Sequence, residues 1–65
     1  MNPFDIVIDG KTYEFIDSIV LDNKYYVAFM DDENTYIKEY KINNNIIELF
    51  DIGDELAKKV WEMIK

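Results

Sequence analysis

Cysteine, histidine and arginine are absent from this chain, and serine occurs once, at Ser18. Without cysteine no disulfide can staple a small fold, and without cysteine and histidine together a thiolate or imidazole metal centre is excluded. The missing histidine also removes the side chain that most readily exchanges protons near neutral pH, and the usual nucleophiles are almost gone. No apolar run approaches the roughly 20 residues needed to span a bilayer. Residues Met1 to Asp5 hold no basic region leading into an apolar stretch, so no signal peptide is expected. Cations are scarce: 7 lysines face 14 aspartates and glutamates, for a net charge of −7. A field of that sign repels nucleic acid and anionic lipid, so neither a direct nucleic-acid partner nor a membrane is expected.

What is present is a compact, aromatic-rich domain. The chain has 65 residues, 49% of them hydrophobic and 15% aromatic, which is one domain, 1–65. A chain of this size buries only roughly 60% of the surface its unfolded form exposes, so its stability is marginal unless association helps. The absence of cysteine is compatible with a reducing cytoplasm. Lysine as the only cation, with abundant isoleucine and asparagine, suggests an AT-rich bacterial or phage genome.

Five short runs of aromatic and β-branched residues are separated by turn signals. Phe4, Ile6 and Ile8 alternate with Asp5 and Asp9, the period of a half-buried strand, and Asp9-Gly10 suits a tight hairpin. Tyr13 and Phe15 continue the alternation, which slips at Ile16 and resumes near Ile19 and Leu21; one extra residue around Asp17-Ser18 predicts a bulge or bend. Tyr25 to Met30 is apolar on both parities, as in a central strand covered on both faces. Thr35 to Ile42 alternates again, and Asn43-Asn44-Asn45 predicts a turn into Ile46 to Phe50. The period then changes. Ile52, Leu56, Val60 and Ile64, flanked by Ala57, Trp61 and Met63, form one helical stripe over about 52–64. Asp51 is expected to cap the helix, Asp54 to Lys58 and Glu55 to Lys59 to pair along it, Lys65 to suit its negative end, and Trp61 to bury most of its ring against the sheet. The expected fold is α+β, an antiparallel meander of four or five strands with one C-terminal amphipathic helix packed on the sheet; the alternative is a small SH3- or OB-like barrel.

The segments Tyr13-Glu14-Phe15, Ile19 to Phe29 and Tyr36-Ile37-Lys38-Glu39-Tyr40, in that order, resemble the YrzB-like family of small acidic bacterial proteins. The resemblance runs from about Ile6 to the end. It departs in the short Asp31 to Asn34 loop and in the lysines of the terminal helix. It implies the fold and a cytoplasmic setting. Because that family has no established catalytic or ligand residues, it transfers no site.

Asp31-Asp32-Glu33-Asn34 is the densest acidic cluster, but an EF-hand loop starting there would need glycine and glutamate where Tyr36 and Ile42 stand. The cluster is a solvated turn, and no cofactor is expected. Carboxylate pairs such as Asp17 with Asp22 or Glu14 with Glu39 would need a cleft that so small a domain hardly has room for, so the chain is not expected to be an enzyme. The tyrosines could stack bases, but such platforms need basic surroundings. The bland role of these rings is to build the core. A mismatch remains: one helix covers one sheet face, while Tyr26, Ala28 and Met30 are apolar on the parity opposite to Tyr25, Val27 and Phe29. Either the sheet curls to bury both, or an apolar face stays open for a protein contact. The expectation is a non-catalytic binding module for a protein partner or a second copy, with Tyr26, Met30, Tyr36 and Tyr40 as candidate contact residues. The alternative is an inhibitor that mimics nucleic acid and occupies the basic cleft of its target.

Overall fold

The structure, a computed structural model, describes residues 5–64. Five antiparallel strands form one meander in the order β1-β2-β3-β4-β5: β1 (Asp5–Ile8), β2 (Lys11–Leu21), β3 (Lys24–Met30), β4 (Thr35–Asn43) and β5 (Ile46–Phe50). A single helix, α1 (Asp54–Ile64), follows. The α+β meander expected from the alternation is the observed fold. Phe4, placed in the first strand, and Lys65, placed at the end of the helix dipole, lie outside the described residues.

The hairpin turns have a common local cause. Asp9 and Gly10, Asp22 and Asn23, and Asn44 and Asn45 all adopt positive φ, at 51° and 80°, 52° and 64°, and 52° and 66° respectively. Positive φ at both central residues defines the type I′ turn, whose twist matches that of the flanking strands, and Asp, Asn and Gly are the residues that tolerate it. The Asp31 to Asn34 connection works differently, through an Asx turn: the Asp31 carboxylate Oδ1 accepts the backbone N–H of Glu33 and of Asn34, each at 2.8 Å.

The bulge falls slightly earlier than Asp17-Ser18. Phe15 pairs with Phe29 and Asp17 with Ala28, so Ile16 is the extra residue. Paired residues share a sheet face, and the register therefore sorts the side chains. One face carries Ile6, Tyr13, Phe15, Val20, Tyr25, Val27, Phe29, Tyr36, Tyr40, Ile42, Ile47 and Leu49. The other carries Ile19, Tyr26, Ala28, Met30, Ile37 and Phe50. The bulge increases the local bend, and the sheet curls into a half-barrel with the first set inside.

The helix covers the outer face. It packs against β2 and β4, straddling β3, where Tyr26 and Ala28 are 2% and 0% exposed. Alanine at the centre of β3 lets the helix approach, and Val60 is its fully buried anchor. Trp61 is partly buried, less completely than Val60; a turn of about 100° per residue places it beside the stripe centred on Val60. Asp51 does not cap α1. Its carboxylate accepts a hydrogen bond from the Lys38 ammonium, and the first helical bond runs from the Ala57 N–H to the Gly53 carbonyl at 2.9 Å, which makes Gly53 the N-cap. Among the described residues the ion pairs are Lys11 with Asp31 and Lys38 with Asp51; the helical pairs Asp54 to Lys58 and Glu55 to Lys59 do not close. No helix among the described residues is long and apolar enough to cross a membrane.

Candidate functional site: the inner face of the half-barrel

The inner face is packed at one end and open at the other. At the packed end Phe29 stacks on Tyr36 with centroids 5.4 Å apart, and Tyr13 meets both rings edge-on at 5.2 and 5.6 Å. The Tyr36 hydroxyl donates to Asp31 Oδ2 at 2.9 Å, and the Lys11 ammonium donates to the same oxygen at 2.8 Å. These donors hold the Asp31 carboxyl far below the usual carboxylate range, with the Lys11 hydrogen bond the largest cause and the Asn34 and Glu33 amides next. The same bonds raise Lys11 and Tyr36 above their ordinary values.

Beside this cluster the sheet leaves an apolar trough of about 540 Å³. Its walls come from every strand: Ile6 and Ile8 of β1, Phe15 and Ser18 of β2, Val27 of β3, Tyr40 and Ile42 of β4, Ile47 and Leu49 of β5. Val20, Tyr25, Ile42 and Ile47, all on the inner face, are 59%, 51%, 67% and 63% exposed. Tyr25 packs against Tyr40 at 5.7 Å and a tilt of 37°. This is one contiguous apolar surface, running across neighbouring strands as the row Val20, Tyr25, Tyr40, Leu49.

Charge is segregated between the faces. The strand carboxylates Asp5, Glu14, Asp17, Glu39 and Glu48 all lie on the outer, helix-bearing face by register. The charged strand residues of the inner face are Lys11 and Lys38, each held by an aspartate. The walls of the trough therefore carry no strand carboxylate, and Asp9 of the β1–β2 turn is the acidic residue among those that line it.

The four candidate contact residues separate. Tyr40 lies in the trough wall. Tyr36 shares the inner face but belongs to the packed ring cluster. Tyr26 is not on a free surface, because α1 covers it, and Met30 is a half-buried outer-face residue beside a polar cleft with Lys11, Asp31 and Asp32. The residues not singled out from the sequence are Val20, Ile42 and Ile47. Their signal was their shared parity with Tyr25 and Tyr40 across turns whose length sets the register. The carboxylates Glu14 and Glu39 are not brought together, since they pair with Met30 and Tyr26 respectively. Among the described residues no three acidic side chains converge as a metal site.

No family model, curated protein or solved structure matches the chain.

Proposed function

We propose that this protein is a non-catalytic binding module of the bacterial cytoplasm that engages a protein partner through the inner face of its half-barrel. The carrying observation is the exposure of Val20, Tyr25, Ile42 and Ile47 side by side on one face. Large exposed apolar side chains grouped in this way are the usual mark of a protein contact, whereas scattered ones need no explanation. The acidic turns and the outer-face carboxylates supply solubility and an overall negative field that disfavours acidic partners. Affinity capture from the cell of origin tests the reading, with wild type beside an Ile42→Lys/Ile47→Glu variant, whose opposite charges face each other across the strands. Both positions are more than 60% exposed, and circular dichroism checks that the variant is folded before capture. A partner held by wild type and lost by the variant supports the reading, and equal capture by both refutes it.

The nucleic-acid mimic draws support from the strand carboxylates sharing one face. Lys24 and Lys41 interleave with them, however, and α1 lies across that face. A continuous run of carboxylates at phosphate-like spacing is thus broken. A mimic complex loses most of its affinity in high salt, while a complex held by the apolar trough does not.

A further inference from the structure

The half-barrel is open because β1 and β5 do not pair, and β5 presents its outer edge. The hairpin geometry specifies what that edge offers. Asn44 and Asn45 form a two-residue type I′ turn between Asn43 and Ile46, which pair directly. In such a hairpin the residues flanking the turn exchange hydrogen bonds, and alternate pairs along the ladder then do the same. Ile46, Glu48 and Phe50 therefore direct their backbone groups toward β4. Ile47 and Leu49 direct theirs outward, while their side chains face the trough. Edge amides, edge carbonyls and the apolar trough thus belong to the same two residues.

Glu48 decides what can pair there. Opposite an added antiparallel strand it occupies a non-hydrogen-bonded position, where facing side chains come closest. It is exposed, and Lys41, its neighbour across β4, extends its ammonium over the Phe50 ring at 5.3 Å from the centroid. No ion pair is made to Glu48 among the described residues. A second copy pairing β5 on β5 about Glu48 would set two carboxylates against each other at the closest spacing, on chains that each carry −7. A partner strand with Lys or Arg at that position would instead gain a cross-strand ion pair.

From these observations, and resting on the binding-module reading above, we infer that the partner contributes an extended basic segment that adds to β5 as a sixth strand. Its sequence alternates apolar and basic residues. A Lys or Arg faces Glu48 on the outer side, and apolar residues on either side of it enter the trough beside Ile47 and Leu49. The overall charge of the module attracts such a segment, and main-chain bonds to the two outward residues hold it.

The test uses the whole protein and a short synthetic peptide of alternating valine and lysine, followed by amide hydrogen exchange and heteronuclear NMR. The peptide slows exchange of the Ile47 and Leu49 amides about tenfold or more, and shifts the Val27, Tyr40 and Ile42 signals. Glu48→Lys weakens the valine–lysine peptide about tenfold and gains binding to a valine–glutamate peptide, a swap that also shows the variant is folded. Shifts in the trough without protection of Ile47 and Leu49 overturn strand addition and leave the contact reading standing. No change at either place with any of the peptides overturns strand addition, and the contact reading then stands or falls on the capture experiment.

Discussion

Asp31 ties the packed end of the half-barrel together. One carboxylate oxygen closes the loop on itself through Glu33 and Asn34, and the other joins β2 to β4 through Lys11 and Tyr36. Its side chain is only 10% exposed, while Lys11 is 58% exposed. Because its carboxyl is depressed in the folded state, its contribution to stability is complete above an unfolded pKa of about 3.9 and is lost as pH falls below that. Asp51, lowered by Lys38, acts in the same direction. Lys11 and Tyr36 are raised, so their contribution is present below unfolded values of about 10 and is lost as pH rises through the folded ones. Thermal melts by circular dichroism across pH should therefore fall off at both extremes. Asp31→Ala should lower the melting temperature at neutral pH and flatten both limbs; unchanged limbs would show that other groups carry the pH dependence. Asp31→Asn, which can still accept the two loop amides, should be milder than alanine.

At the scale of elements, the turns were the most legible feature, because the steric cost of positive φ selects Asp, Asn and Gly so strongly. Asn23→Gly should change stability by no more than a few tenths of a kcal/mol, whereas Asn23→Val, β-branched at φ 64°, should cost about 1 to 2 kcal/mol in urea denaturation. The central position of β3 was equally legible from its unbroken apolar run, and residues 26 to 29 are indeed buried. The face the helix would choose was not, since β3 is apolar on both parities; the curl of the sheet and the small Ala28 decide it. The helix stripe showed the amphipathic face without its centre. Val60→Ala should cost about 1.5 to 3 kcal/mol, as expected for a fully buried aliphatic side chain. Half-buried Trp61→Ala should fall below the roughly 3 kcal/mol at which buried large aromatics begin. Asp51 illustrates a second limit of sequence reasoning, for a residue suited to capping was taken by a tertiary partner, Lys38.

For the whole molecule, curling and covering solve the same difficulty on opposite faces. The helix buries the outer face, and the bulged, bent β2 brings the inner aromatic residues over one another at one end. That closure stops at the packed end, and the inner apolar surface stays open beyond it. The sequence displayed two apolar parities and one helix, and so the existence of a surplus face. It did not display which residues form that face, because the register beyond Ile16 depends on where the bulge falls. The most direct measurement is site-specific photo-crosslinking in the cell of origin, with a benzophenone side chain placed at Ile42 in the trough or at Met63 on the exposed margin of α1. Partner adducts from Ile42 and none from Met63 are the predicted result. Adducts from Met63 with none from Ile42 would place the contact on the helix side and contradict the account.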